Sequence, residues 1–264
     1  MSVITDRIKK YRFLFEELVK RDFKKRYKRT MLGILWSMLG PMLQLLVMAL
    51  VFSFFFASNI PHFIVYLFAG NLLFSYFKDS TSAGMQSLTA NAGIVTKIKT
   101  PKYIFLLSRN ISSLINFSIT LIIFFVFVAV ERIPFSPRFI LLLYPITCLL
   151  IFNIGVGLIL SALYVFFKDI QYLYDIFTML LLYMSAIFYN VDRFPPTVQR
   201  LLLFNPLYCY IHYVRLVVIP AKGALSGVIP SFNVHLLCGV YAIVAIAIGS
   251  VIYKKYNYRF VYYM

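Results

Sequence analysis

Apolar residues in this chain come in long runs separated by short polar breaks. Six runs reach or approach the roughly 20 residues an α-helix needs to cross a hydrocarbon layer about 30 Å thick. They are Ile34 to Phe56, Phe63 to Phe77 with a polar extension toward Leu88, Tyr103 to Val130, Phe139 to Phe167, Ile170 to Tyr189, and Val234 to Tyr253. The alternation with period 2 that marks a membrane barrel is absent. The segment before the first run is patterned differently. On a helical wheel Ile8, Tyr11, Phe15, Leu18, Val19 and Phe23 fall within about 140° of arc, opposite Lys10, Lys20, Arg21, Lys24 and Lys28. That is a helix made for an interface. The pattern therefore predicts an all-α integral membrane protein in one domain. An amphipathic helix over residues 1–30 precedes a bundle of six transmembrane helices over 31–253, and a short tail over 254–264 follows.

A seventh run, Arg200 to Pro220, passes by apolarity alone, but Asn205-Pro206, His212 and Arg215 interrupt it. An Asn-Pro pair favours a turn and ionisable side chains are costly at membrane depth, so it is not read as a span. Two short re-entrant helices between the fifth and sixth spans account for both the apolarity and the punctuation. An amphipathic helix lying on the outer surface is the plainer alternative.

Composition strengthens the membrane reading. With 61% hydrophobic and 13% charged residues, the chain has too little polar side chain to cover a water-facing surface. The net charge of +17 is unevenly spread, eleven of the 26 Lys and Arg residues lying before Met31. Lys97, Lys99 and Lys102 share one loop, Lys168 sits in the next alternate loop, and Lys254, Lys255 and Arg259 form the tail. Basic residues near span ends stay in the cytoplasm, which places both termini inside. The basic face of the first helix then meets anionic head groups and its apolar stripe enters the acyl boundary. Nucleic-acid-binding tails are also basic, but the interleaved aromatic and aliphatic residues favour lipid over nucleic acid. The N-terminus lacks the short apolar core and small-residue cleavage site of a signal peptide. Cys148, Cys209 and Cys238 sit singly in apolar surroundings and read as small core residues.

Candidate chemistry is sparse. Most of the nine acids lie near predicted interfaces instead of converging at mid-membrane, as a proton- or sodium-driven carrier would require. His62, His212 and His235 are isolated, and no metal site is predicted. There is no GxxxxGK[ST] phosphate loop, so energy for any work would enter through another subunit. Two inside loops suit docking of such a partner: Asn91 to Tyr103, with Asn91, Ile94, Lys97 and Pro101, and the tight turn around Lys168 and Asp169. Ordinary loop duty explains them equally. Along the third span Arg109, Ser112, Ser113, Asn116 and Thr120 form a polar stripe that must face protein or water, and Arg109 is within reach of Asp175 as a structural pair. In the fifth span Tyr172, Met179, Tyr183, Ala186 and Asn190 share one helical face, opposite Tyr174, Phe177, Leu181 and Phe188.

Four stretches in order, RDFKKRYKRTMLGILWSMLGPML, FAGNLLFSYF followed by NAGIVTKIKTPKY, GVGLILSALYVFFKDI, and FYNVDRFPPTVQRLLLFNPLYCYIHYVR, resemble the ABC-2 type permease subunits of bacterial polysaccharide exporters. The resemblance covers nearly the whole chain. It implies a homodimer of six-helix subunits in the bacterial inner membrane, carrying two copies of a separate ATPase that binds the ATP and magnesium; no cofactor is bound by this chain. It implies that the first helix is a gate helix, with Lys20, Arg21, Phe23, Lys24 and Lys28 at its working end, and that the two inside loops are coupling segments. It also implies a channel bounded by the first and fifth spans. Trp36, Gln44 and Phe52 would then face Tyr172, Met179, Tyr183 and Asn190 across the path of a lipid-linked polysaccharide, sugar rings packing on aromatic faces. Helix packing is the alternative role for these stripes. Two other functions stay in view: an ABC-2 pump for drugs or free lipids, and a membrane glycosyl- or phosphotransferase, which would want clustered acids around a metal.

Overall fold

The computed structural model describes residues 2–27, 33, 35–56, 60–97, 100–220 and 227–263. Lys28 of the predicted gate set and Ile34, the predicted start of the first span, lie outside them. Among the described residues all regular structure is helical. The chain runs through α1 (Ser2–Tyr27), α2 (Leu35–Phe56), α3 (Phe63–Met85), a 3-10 turn (Thr89–Asn91) into α4 (Ala92–Val95), and α5 (Tyr103–Val130). A 3-10 stretch (Pro137–Leu142) leads into α6 (Leu143–Phe166), followed by α7 (Ile170–Met184), α8 (Pro196–Leu202), α9 (Pro206–Val218) and α10 (Phe232–Tyr256).

Four stretches are long and apolar enough to cross a membrane: Leu35–Ser53, Tyr103–Val130, Pro137–Phe166 and Phe232–Tyr256. A fifth is obtained if α8 and α9 count as one broken span. The other two predicted spans fall short for different reasons. Helix α3 ends in the polar sequence Lys78-Asp79-Ser80-Thr81-Ser82, and α7 has 15 residues, about 22 Å of rise. The seventh apolar run is bent as its Asn-Pro pair predicts. Helices α8 and α9 meet at 106°, Asn205 Oδ1 accepts a hydrogen bond from Leu207 N (3.0 Å), and Pro206 takes the first helical position, where its missing N–H costs nothing. Ten of the residues of α9 are buried and none of α8 is. Helix α9 is thus part of the core and does not lie on a surface.

Helices α6 and α10 run parallel. They touch along their length because Gly155 and Gly249 leave no side chains between the backbones: a Cβ on Gly155 would sit 2.4 Å from the Ala245 carbonyl carbon, and one on Gly249 2.4 Å from the Gly155 oxygen. Helix α3 occupies the centre, its rings crossing those of α5 edge to face at Phe68–Phe124 and Phe68–Phe127. One end of the bundle gathers α1, the Thr89–Val95 turn, the Phe167–Asp169 turn and the tail, as contacts of Lys102 with Asn257 and of Phe166 with Tyr256 and Tyr263 attest. The opposite end carries the His62–Glu131 pair (2.9 Å) and the turns around Tyr189 and Arg215.

Part of the stripe on α1, Tyr11, Phe15 and Leu18, meets protein where lipid was expected, and the side chain of Ile8 lies outside the described ones. Leu18 is buried, and Tyr11, Leu14 and Phe15 pack with it against Ile94, Val95, Ile104 and Phe105. The first turns of α4 and α5 present an apolar surface at the height of α1, and this part of the stripe is spent on that surface. Phe13 remains exposed.

Candidate functional site

Polar side chains collect where α2, α3 and α5 meet. From α2 come Ser37 and Gln44, with Trp36 at the rim and Gly40-Pro41 between them; from α3 come Asn71, Ser75 and Asp79; from α5 come Ser113, Asn116 and Thr120. They line a cleft of about 440 Å³ closed on one side by Phe68, Tyr76 and Phe117. Each helix contributes by its period. Asn71, Ser75 and Asp79 are spaced by four, as are Asn116 and Thr120, so each set forms one stripe. Asn71, Ser113 and Thr120 are buried, and Gln44 Nε2 approaches Asn71 Oδ1 at 3.5 Å. Pro41 lies inside α2 on this wall.

A smaller cavity of about 250 Å³ lies beside the cleft toward α1 and shares Ser113 with it. Asp22, Phe23 and Lys25 of α1 face Arg109 and Ser112 of α5 across it. Arg109 Nε lies 3.2 Å from Asp22 Oδ2, an ion pair by distance without hydrogen-bond geometry. The predicted partner Asp175 is therefore replaced by Asp22, because α1 lies over the start of α5 and brings its acid to Arg109. Asp22 also accepts from Arg21, whose Nη2 is 2.9 Å from Asp22 Oδ1 and 2.7 Å from Asn91 Oδ1. Arg21 thereby ties α1 to the predicted coupling segment. Of that segment, Asn91 is buried and Ile94 packs under α1, leaving Lys97 exposed; Lys168 and Asp169 are exposed in their turn. Lys20 pairs with Glu17 of its own helix (3.1 Å), and Lys24 is exposed. Pro101 stands two residues before the start of α5, with Lys102 between them.

The predicted path residues do not converge within one chain. Trp36 and Gln44 line the cleft, while Tyr172, Met179 and Tyr183 point outward from α7 with exposures of 72%, 61% and 55%. Only Tyr174 and Thr178 of α7 are buried, Tyr174 through its contact with Thr81. Phe52 stacks on Phe188 at 4.4 Å, a residue expected on the face opposite the path. Ala186 and Asn190 leave the helical face because α7 stops at Met184 and Ala186 takes φ 52°. Asn190 lines a separate cavity of about 220 Å³ with Tyr66, Tyr208 and Arg215.

Arg215 explains that stop. It is buried, and its guanidinium donates to the carbonyls of Tyr66 (3.2 and 3.0 Å), Ala186 (2.8 Å) and Ile187 (3.0 Å) while lying 3.4 Å over the Tyr66 ring. Gly70 makes room, since a Cβ there would stand 2.8 Å from Arg215 Nη2. Sequence reading treated Arg215 only as a cost at membrane depth. The usable signal was a lone cation in an apolar helix, which must find acceptors somewhere. Asn71, Ser75 and Asp79 were missed too, although their spacing was legible. Among the described residues no three His, Cys, Asp or Glu side chains gather in a way that would hold a metal ion.

The sequence has relatives along nearly its whole length. The chain is 29% identical over 255 residues to the O-antigen export system permease protein RfbA of Klebsiella pneumoniae, covering 94% of this chain and 95% of that one. It is 25% identical over 243 residues to the polysialic acid transport protein KpsM of Escherichia coli (90% and 92%). It is 23% identical over 193 residues to the capsule polysaccharide export inner-membrane protein CtrC of Neisseria meningitidis serogroup B (72% and 73%). The profile of the family described as ABC-2 type transporter matches residues 14–219, which take in the second half of α1, the cleft and Arg215, and the chain belongs to that family.

Proposed function

We propose that this chain is the membrane subunit of an ATP-driven exporter that moves a polysaccharide, carried on a lipid, across the bacterial inner membrane. In this reading α3 and α7 cross the bilayer with the four longer helices, making six spans, and α8–α9 is a re-entrant pair. The end that carries α1 and the tail is cytoplasmic, in keeping with its Lys and Arg content. Two copies associate, and each engages an ATPase subunit, which holds ATP and magnesium, through the Asn91–Pro101 and Lys168–Asp169 segments. The outward tyrosines of α7 then face a path completed by the second copy, with Trp36, Gln44 and the cleft behind it.

The observation that carries the reading is the hydroxyl- and amide-lined, aromatic-edged cleft at membrane depth, in a chain that aligns over 94% of its length with an O-antigen export permease. Amide and hydroxyl groups, with Asp79 as the one carboxylate among the lining residues, suit a hydroxyl-rich chain that must slide and not be gripped. A drug pump of the same family would favour an apolar cavity. The test is deletion of the gene in its own bacterium. Surface polysaccharide should vanish and lipid-linked glycan should accumulate inside, both reversed by the wild-type chain; undiminished surface glycan would refute the proposal.

A further inference from the structure

We infer that the groove between the start of α5, the middle of α6 and the end of α10 is a binding site for one anionic glycerophospholipid. The groove has a volume of about 390 Å³, and Leu106, Leu107, Ile154, Leu158 and Ile246 make its aliphatic wall. An acyl chain would bury its methylenes against these side chains, each contributing about 0.8 kcal/mol in general. At one end the lining changes. Lys102, Ser250, Tyr253, Lys254 and Asn257 crowd the rim, and that rim lies at the end of the bundle where α5 begins and α10 finishes.

Three features of the rim point to a phosphodiester. Among the described residues neither Lys102 nor Lys254 has a carboxylate within ion-pair distance, so two cations face the groove mouth without a counterion. Burial draws the Lys102 amine below its usual range, and its near contacts are the Asn257 carbonyl and the Phe260 ring, both uncharged. Third, the Tyr253 hydroxyl and Asn257 Oδ1 are buried at this rim without a hydrogen-bond partner. Leaving a buried polar group unsatisfied costs about 1–3 kcal/mol, so both atoms favour a ligand that can accept from the one and donate to the other. Phosphate oxygens accept from Tyr253 and from both ammonium groups; a head-group hydroxyl donates to Asn257 Oδ1. Basic pockets between helices at a membrane face bind acidic lipid heads for the same electrostatic reason. A zwitterionic lipid fits the apolar wall and offers the same phosphodiester, but it brings its own ammonium to a rim that already holds two, so the site gains no net counter-charge.

The test uses the purified full chain in detergent, with phosphatidylglycerol and phosphatidylcholine as probes and native mass spectrometry as readout. One phosphatidylglycerol should be retained more tightly than any phosphatidylcholine. Lys102→Gln and Lys254→Gln should each weaken it about fivefold, while Lys255→Gln, one residue away and outside the groove, should leave it unchanged. Equal retention of both lipids by the wild type, or equal loss from all three variants, would overturn the site. Should the lysine variants not fold, wild-type thermal midpoints decide. Phosphatidylglycerol must raise the midpoint where phosphatidylcholine at the same concentration does not, and identical midpoints overturn the inference.

Discussion

Arg215 and Arg109 are both cations inside an apolar bundle, and the protein satisfies them in opposite ways. Arg215 needs no acid: three backbone carbonyls from two separate segments and a tyrosine ring absorb its fork of N–H groups. Arg109 has one carboxylate contact, at 3.2 Å and poorly aligned, and that carboxylate belongs to α1. A guanidinium held by backbone carbonyls cannot let go without moving two helices. A side-chain pair beside a 250 Å³ cavity can open by turning one rotamer. The end with Arg215 is therefore a lock fastened by backbone, and we propose that the end with α1, fastened only by the side-chain contacts Asp22–Arg109 and Arg21–Asn91, is a hinge.

Breaking the lock should have the largest effect. Arg215→Ala leaves the carbonyls of Tyr66, Ala186 and Ile187 without their shared donor, at about 1–3 kcal/mol for each one left dry. We expect little folded protein by size-exclusion chromatography and a strongly lowered thermal midpoint. Arg215→Lys should not rescue it, because an ammonium is a point donor and cannot span the fork; a wild-type midpoint for the lysine variant would show that the geometry is irrelevant. The same lock can be forced from the other side. Gly70→Ala puts a methyl 2.8 Å from Arg215 Nη2 and 3.2 Å from Ile187 Cγ2, an overpacking expected to cost about 1–3 kcal/mol. Combined with Arg215→Ala it should cost less than the sum, since the atom it strikes is gone.

These two arginines also mark what could be read from sequence. Where a signal is local it was legible. Four of the six predicted spans follow their apolar runs, the α8–α9 bend follows Asn205-Pro206, and the polar stripe Ser113–Asn116–Thr120 had to face something other than lipid and lines the cleft. Where a partner is distant it was not. Asp22 meets Arg109 only because α1 folds back over α5, and no spacing announces that; Asp175 was chosen for its place at the same end of the bundle. The acceptors of Arg215 are backbone carbonyls, which every residue has. The length of α7 was overread for the same reason, because its apolar run continues through Ala186 while the backbone turns to meet Arg215.

The hinge should give a smaller effect. A double-mutant cycle with Asp22→Asn and Arg109→Gln is expected to show a coupling of about 1 kcal/mol in thermal unfolding. The cycle of Asp175→Asn with Arg109→Gln should show none within error. Coupling of the second pair, and not of the first, would return Arg109 to α7 and remove the hinge. Both single variants should retain the lock, so their midpoints should fall less than that of Arg215→Ala.

The smallest effect on stability, and the most telling one on transport, belongs to the exposed tyrosines of α7. Tyr172 and Tyr183 are exposed, Tyr183 with its ring 6.2 Å from that of Phe188, so Tyr172→Leu and Tyr183→Leu should change unfolding by no more than about 0.5 kcal/mol. Leucine keeps a lipid-facing surface as apolar as before, and if these side chains only meet acyl chains, polysaccharide export should be untouched. If sugar rings pass over them, leucine removes the flat face on which C–H groups stack, while phenylalanine retains it and loses only the hydroxyl. Export measured as surface glycan per folded copy should then fall with leucine and largely survive with phenylalanine. Wild-type export by both leucine variants would assign this face to lipid, and the path would have to run along the α2–α3–α5 cleft alone.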